Sequence, residues 1–150
     1  WLSQANEPRA DIVVESSKLR GVIIEADVIP RLIDELPIIA VAATQAEGVT
    51  IVQGAKELRI KETDRIAAIT HGLSKMGAAI EEREDGFKVV GPSRLKGAVV
   101  ESYKDHRIAM ALAIAGLVAE GRTTITDSES IGVSFPGFEE MLRQITGQGL

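Results

Sequence analysis

Apolar positions along the chain follow two rhythms. Short β-branched runs at Gly21 to Ile24, Val49 to Val52, Gly97 to Val100 and Thr123 to Thr126 predict strands. Between them lie Ala-rich stretches that end at Glu47-Gly48 and Glu120-Gly121, where glycine supplies a left-handed helix stop. A further helix is predicted over about residues 63–76, because Ile66, Ile69, Leu73 and Met76 share one face and Gly77 follows. Its counterpart is predicted from about Gly137 to Ile145, closed by Gly147. In AAIEEREDGFKVVG, residues 78–91, two short strands flank Asp85-Gly86, the signal of a tight hairpin.

These elements recur. SSKLRGVII (16–24) is echoed by PSRLKGAVV (92–100), and AVAATQAEGVTI (40–51) by ALAIAGLVAEGRTTI (111–125), in the same order. The chain therefore reads as two copies of one β-α-β-α-β-β unit, at about 11–91 and 92–150. Strands alternating with helices predict an α+β fold, layered in the α/β manner, with helices packed on sheet.

Composition narrows the function. A net charge of −5 and a pI near 5.1 speak against a surface that tracks nucleic-acid phosphates. With no cysteine, thiol nucleophiles and thiolate metal sites are excluded. The two histidines, His71 and His106, cannot form a histidine metal cluster, and no acidic run has metal-ligand spacing, so no metal is expected. Neither GxxxxGK[ST] nor GxGxxG occurs, so the Gly-rich phosphate-binding motifs are absent. WLSQANEPRAD has no leader-like basic or apolar region, and the apolar runs are Ala-rich and broken by glycine. A cytoplasmic chain without a membrane partner is the expectation, and a start at Trp1 suggests a piece of something longer.

Charge gathers at predicted helix starts. KETDR, residues 61–65, puts Lys61 and Arg65 where the helix dipole is already positive. On its own the cluster reads first as a solvated helix start, because charge clusters usually face solvent. SYKDHRIAMALA repeats the pattern, with Asp105 as a predicted N-cap and Lys104, His106 and Arg107 around it. The matching start in the first copy is acidic, Asp34-Glu35-Leu36-Pro37. If the copies pack side by side, one carboxylate and several cations converge, which suits proton transfer on a phosphorylated or carboxylated substrate.

LRIKETDRI (58–66), SYKDHRIAMALA (102–113) and SFPGF (134–138), with AEGVT and AEGRT between them, resemble the 5-enolpyruvylshikimate-3-phosphate synthase family. The resemblance runs from about residue 10 to the end. It implies a two-domain enolpyruvyl transferase of which this chain is part of the C-terminal domain. The implied reaction moves the enolpyruvyl group of phosphoenolpyruvate to the 5-hydroxyl of shikimate 3-phosphate and releases phosphate, without metal or cofactor. By position, Asp34 would be the general base, Lys61 would contact both substrates, and Glu62 would donate or relay the proton at the methylene carbon. Arg65 and Arg107 would clamp the phosphoenolpyruvate carboxylate, with His106 supporting them and Asp105 capping the helix. Glu57 stands at a substrate-binding position where many members have Asn, and Val133 where many have a phosphate-binding Lys. The resemblance further implies an N-terminal domain as partner, a monomeric full enzyme, and a chain that is inactive alone. An anion-binding module without catalysis is the alternative.

Overall fold

The computed structural model describes residues 10–147. The reading of the first eleven residues as free of a leader falls largely on residues outside that range. The first half runs β1 (Ile23–Ile24), α1 (Ile29–Leu32), α2 (Leu36–Thr44), β2 (Gly48–Val52), a 3-10 turn (Lys56–Ile60), α3 (Arg65–Lys75), β3 (Ala79–Arg83) and β4 (Gly86–Gly91). After it come β5 (Val99–Glu101), α4 (His106–Val118), β6 (Thr124–Thr126), α5 (Ser130–Ser134) and α6 (Phe138–Thr146).

Four strands form one sheet in the order β1-β2-β4-β3. β1 runs parallel to β2, while β4 is antiparallel to both β2 and β3; the hairpin turns at Glu84-Asp85, one residue before the expected Asp85-Gly86, and Gly86 opens β4 opposite Arg83. β5 and β6 pair in parallel as a second, two-stranded sheet. Just before each parallel pair sits one bridge, Arg20 to Glu47 and Lys96 to Glu120. The glycine that follows explains the recurring Leu-basic-Gly motif. A Cβ on Gly21 would collide with the Val49 carbonyl, and one on Gly97 with the Arg122 carbonyl.

Helices fill the middle and the sheets lie outside. α2 buries Leu36, Ala40, Val41 and Ala43, and α4 buries Ile108, Ala109, Ala111, Leu112 and Ala115. Such small, apolar helices can be enclosed on nearly all sides. α3 packs on both, burying Ile66, Ile69 and Leu73, the face predicted from its periodicity. Where α3 meets α4 a glycine sets the spacing, since a Cβ on Gly72 would lie 2.8 Å from Leu112 Cδ2. From the large sheet, Val52, Phe87 and Val89 point into this core, whereas Ile23, Val49 and Val90 remain exposed on the outer face.

Three elements were not foreseen: α1, the 3-10 turn and α5. Each is four or five residues long, too short to show a helical period. Gly147 ends α6 in the left-handed conformation, as expected, at φ 64°. No helix among the described residues is long and apolar enough to cross a membrane.

Candidate active site at three helix starts

α3 begins at a carboxylate held from both sides. Asp64 Oδ1 accepts from the Ala67 amide at 3.0 Å, capping the helix, while Oδ2 pairs with Arg59 Nη1 at 2.7 Å. Arg59 also donates to the carbonyls of Arg83 and Glu84, at 2.6 and 2.7 Å, and pairs with Glu82 at 2.9 Å. Its pKa is raised, chiefly by the hydrogen bond to Asp64, with burial acting in the other direction. Arg59 thus fastens the start of α3 to the β3–β4 hairpin. Sequence reasoning missed it, because in LRIKETDR it is one more charge among several.

The start of α4 is shaped by strain and burial. Tyr103 and Lys104 both have left-handed backbones, at φ 55° and 61°, a costly conformation for residues with a Cβ. Buried Ser102 anchors the segment by donating to the Asp127 carbonyl at 2.7 Å. The Tyr103 hydroxyl lies 2.9 Å from His71 Nδ1 on α3. Burial pushes the Tyr103 phenol up, and Glu101 adds to the shift. Asp105 then caps α4 as predicted, its Oδ1 accepting from the amides of Arg107 and Ile108 at 2.9 and 3.4 Å.

Between the helix starts lies Arg65, buried to 1% exposure. Its Nε donates to Asp105 Oδ2 at 2.8 Å, Nη1 to Asp34 Oδ1 at 3.1 Å and Nη2 to Glu62 Oε2 at 2.6 Å. A guanidinium can be buried this deeply because its donors meet three carboxylates. Asp34, just before α2, reaches a second guanidinium, with Oδ2 3.0 Å from Arg107 Nη2. Arg107 Nη1 donates to the Asp34 carbonyl at 3.3 Å.

Most of the residues singled out from sequence are therefore brought together. Asp34, Glu62, Arg65, Asp105 and Arg107 form one continuous ion-pair network. Lys61 stands beside it, paired with Glu57 at 2.7 Å. His106 occupies the first position of α4, half-buried, and its ring enters no hydrogen bond or ion pair among the described residues. Val133 lies on α5 and is 86% exposed. A separate cleft of about 650 Å³ runs between α4, β6 and α6, lined by Leu117, Ile125, Phe138 and Leu142 and by none of these site residues.

Cations from two helix starts thus meet carboxylates at one place on a layered α+β scaffold. The profile of the family described as EPSP synthase (3-phosphoshikimate 1-carboxyvinyltransferase) matches residues 3–142. The chain belongs to that family. It is 56% identical over 142 residues to a 3-phosphoshikimate 1-carboxyvinyltransferase of Bacillus cereus, covering 95% of this chain and 33% of the relative. A Bacillus thuringiensis protein of the same name is 55% identical with the same coverage. Among solved structures, an EPSP synthase from Acinetobacter baumannii superimposes with a TM-score of 0.81 at 40% identity, over 85% of this chain and 30% of that one. The chain spans about a third of the length of the curated relatives it matches.

Proposed function

We propose that this chain supplies one wall of an active site that transfers the enolpyruvyl group of phosphoenolpyruvate to the 5-hydroxyl of shikimate 3-phosphate. The observation that carries the reading is the convergence of Arg65, Arg107 and Asp34 from separate helix starts, 3.0 to 3.1 Å apart across the two ion pairs.

In this reading the arginine pair holds the phosphoenolpyruvate carboxylate, with Arg65 aimed by Asp105. Lys61 contacts both substrates. Asp34 takes the proton of the 5-hydroxyl as its oxygen bonds to C2 of phosphoenolpyruvate, while Glu62 delivers a proton to the methylene carbon. The tetrahedral adduct then loses a methyl proton and the C–O bond to phosphate, which regenerates the double bond and releases inorganic phosphate. His106 supports the clamp from the first turn of α4, and Glu57 sets the position of Lys61 through their ion pair. No metal or organic cofactor takes part.

A second domain, N-terminal in the full protein, closes the other wall, binds the shikimate phosphate and excludes water. The two units at about 11–91 and 92–150 belong to the C-terminal domain of that protein, which acts as a cytoplasmic monomer. This chain alone is inactive.

The test is complementation. Mixing this chain with a separately made N-terminal remainder of the parent and both substrates is expected to release phosphate only when both pieces are present. The activity should disappear in Asp34→Ala and in Lys61→Ala. Two folded, associating pieces that give no turnover would leave an anion-binding module in place of the enzyme.

A further inference from the structure

Asp34 engages both arginines at once. One carboxylate oxygen is 3.1 Å from Arg65 Nη1 and the other 3.0 Å from Arg107 Nη2. A carboxylate held between two planar guanidinium forks is how proteins recognise a small carboxylate ligand, and here an internal side chain holds that position. Arg65 is 1% exposed, and three of its five N–H donors already face Asp34, Asp105 and Glu62. An incoming carboxylate can reach both arginines only if one internal carboxylate leaves.

The three acids differ in what each one's leaving would free. Asp105 is fully buried and fixed by capping α4. Glu62, 53% exposed, touches Arg65 alone, so its leaving would keep the Asp34 bridge between the two arginines closed. Asp34 is the one both arginines share, its side chain is 41% exposed, and it lies between α1 and α2 rather than inside either helix.

We propose that Asp34 is an internal competitor for the arginine pair. The carboxylate of an arriving ligand takes its place between Arg65 and Arg107, and the displaced Asp34 swings out with its oxygens free to accept a proton. This rests on the reading that the arginine pair binds the carboxylate of phosphoenolpyruvate. Two consequences follow from linkage. Apparent affinity is reduced by the fraction of molecules in which the Asp34 bridge is closed. Release of the base is coupled to arrival of the group it will act beside, because the ligand selects the conformation with Asp34 displaced.

Titration of phosphoenolpyruvate into the 150-residue chain, at neutral pH and fixed ionic strength, tests this. Asp34→Asn is expected to tighten binding about tenfold, the gain when a bridge closed in nine molecules of ten is removed. Glu35→Gln is the charge control: it removes a neighbouring charge that enters no ion pair among the described residues, and should change Kd less than about twofold. Arg107→Ala is expected to lose binding. Equal tightening in Asp34→Asn and Glu35→Gln, or weaker binding in Asp34→Asn, would overturn the competitor while leaving the arginine site standing. Binding that survives Arg107→Ala, or is absent from wild type and Asp34→Asn alike, would overturn both. The unmutated chain gives a second readout, independent of whether the variants fold. On saturation the Asp34 carboxyl carbon resonance should move while that of Asp105 stays, and an unmoved Asp34 signal would refute the displacement.

Discussion

Asp105 and Arg65 are paired inside the protein, with side chains 0% and 1% exposed and Nε 2.8 Å from Oδ2. The same aspartate caps α4 with its other oxygen. One residue therefore fixes the Arg65 side chain and the first turn of the helix that carries Arg107. The geometry of the proposed clamp is set from beneath, by a group that faces no solvent.

Removing this support should be costly. Asp105→Ala strips a buried guanidinium of one carboxylate and α4 of its cap, and is expected to destabilise the chain by about 3 to 5 kcal/mol in urea unfolding. Asp105→Asn keeps a cap acceptor and should lose less. Equal midpoints for wild type and Asp105→Ala would show that the pair does not hold the fold.

Arg59 should matter more than its place in a charged stretch suggests. It joins Asp64 and Glu82 to the carbonyls of Arg83 and Glu84, so Arg59→Ala is expected to cost about 1 to 3 kcal/mol. Hydrogen exchange would locate the loss. Protection should fall at the α3 start and the β3–β4 hairpin, and stay unchanged along α6.

Much of this architecture was legible in the sequence, and the reason differs by element. The Asp105 cap and the glycine stop at Gly147 rest on local chemistry, which a sequence displays directly. The repeat marked Gly21 and Gly97 as equivalent before any contact was known, and both meet a backbone carbonyl in the same way. The burial of Arg65 was not legible, since its partners come from 31 and 40 positions away as well as from Glu62. The left-handed pair Tyr103-Lys104 was equally hidden, because neither residue type signals that backbone. The sharing of Asp34 between two arginines is a tertiary fact, and only the convergence of charge, not its connectivity, could be read in advance.

Alkaline pH should expose the Tyr103 environment. Its phenol pKa is raised in the folded chain, by burial and then by Glu101. Above the unfolded tyrosine value, about pH 10, the unfolded chain releases this proton first, so stability falls as pH rises. Tyr103→Phe should unfold with a shallower pH dependence than wild type above about pH 10. Parallel curves for the two proteins would contradict the shift.

Matched substitutions test the recurring glycine. Gly21→Ala and Gly97→Ala each push a methyl group against a backbone carbonyl, and each is expected to destabilise by about 1 to 3 kcal/mol. Thermal unfolding of the two variants should show shifts in the same direction. A neutral Gly97→Ala would mean that the second parallel pair is not packed as closely as the first.

The contact between Gly72 and Leu112 reaches beyond packing. Gly72 lies seven residues along α3 from Arg65, and Leu112 five residues along α4 from Arg107, roughly 10 and 8 Å along the two axes. A methyl group added at Gly72 acts like a shim slipped behind a pair of calipers. Leu112 must yield or the helices must spread, and spreading them opens the jaws at the far end. The spacing of Arg65 and Arg107 is then calibrated by a residue deep in the hydrophobic interior that touches neither of them.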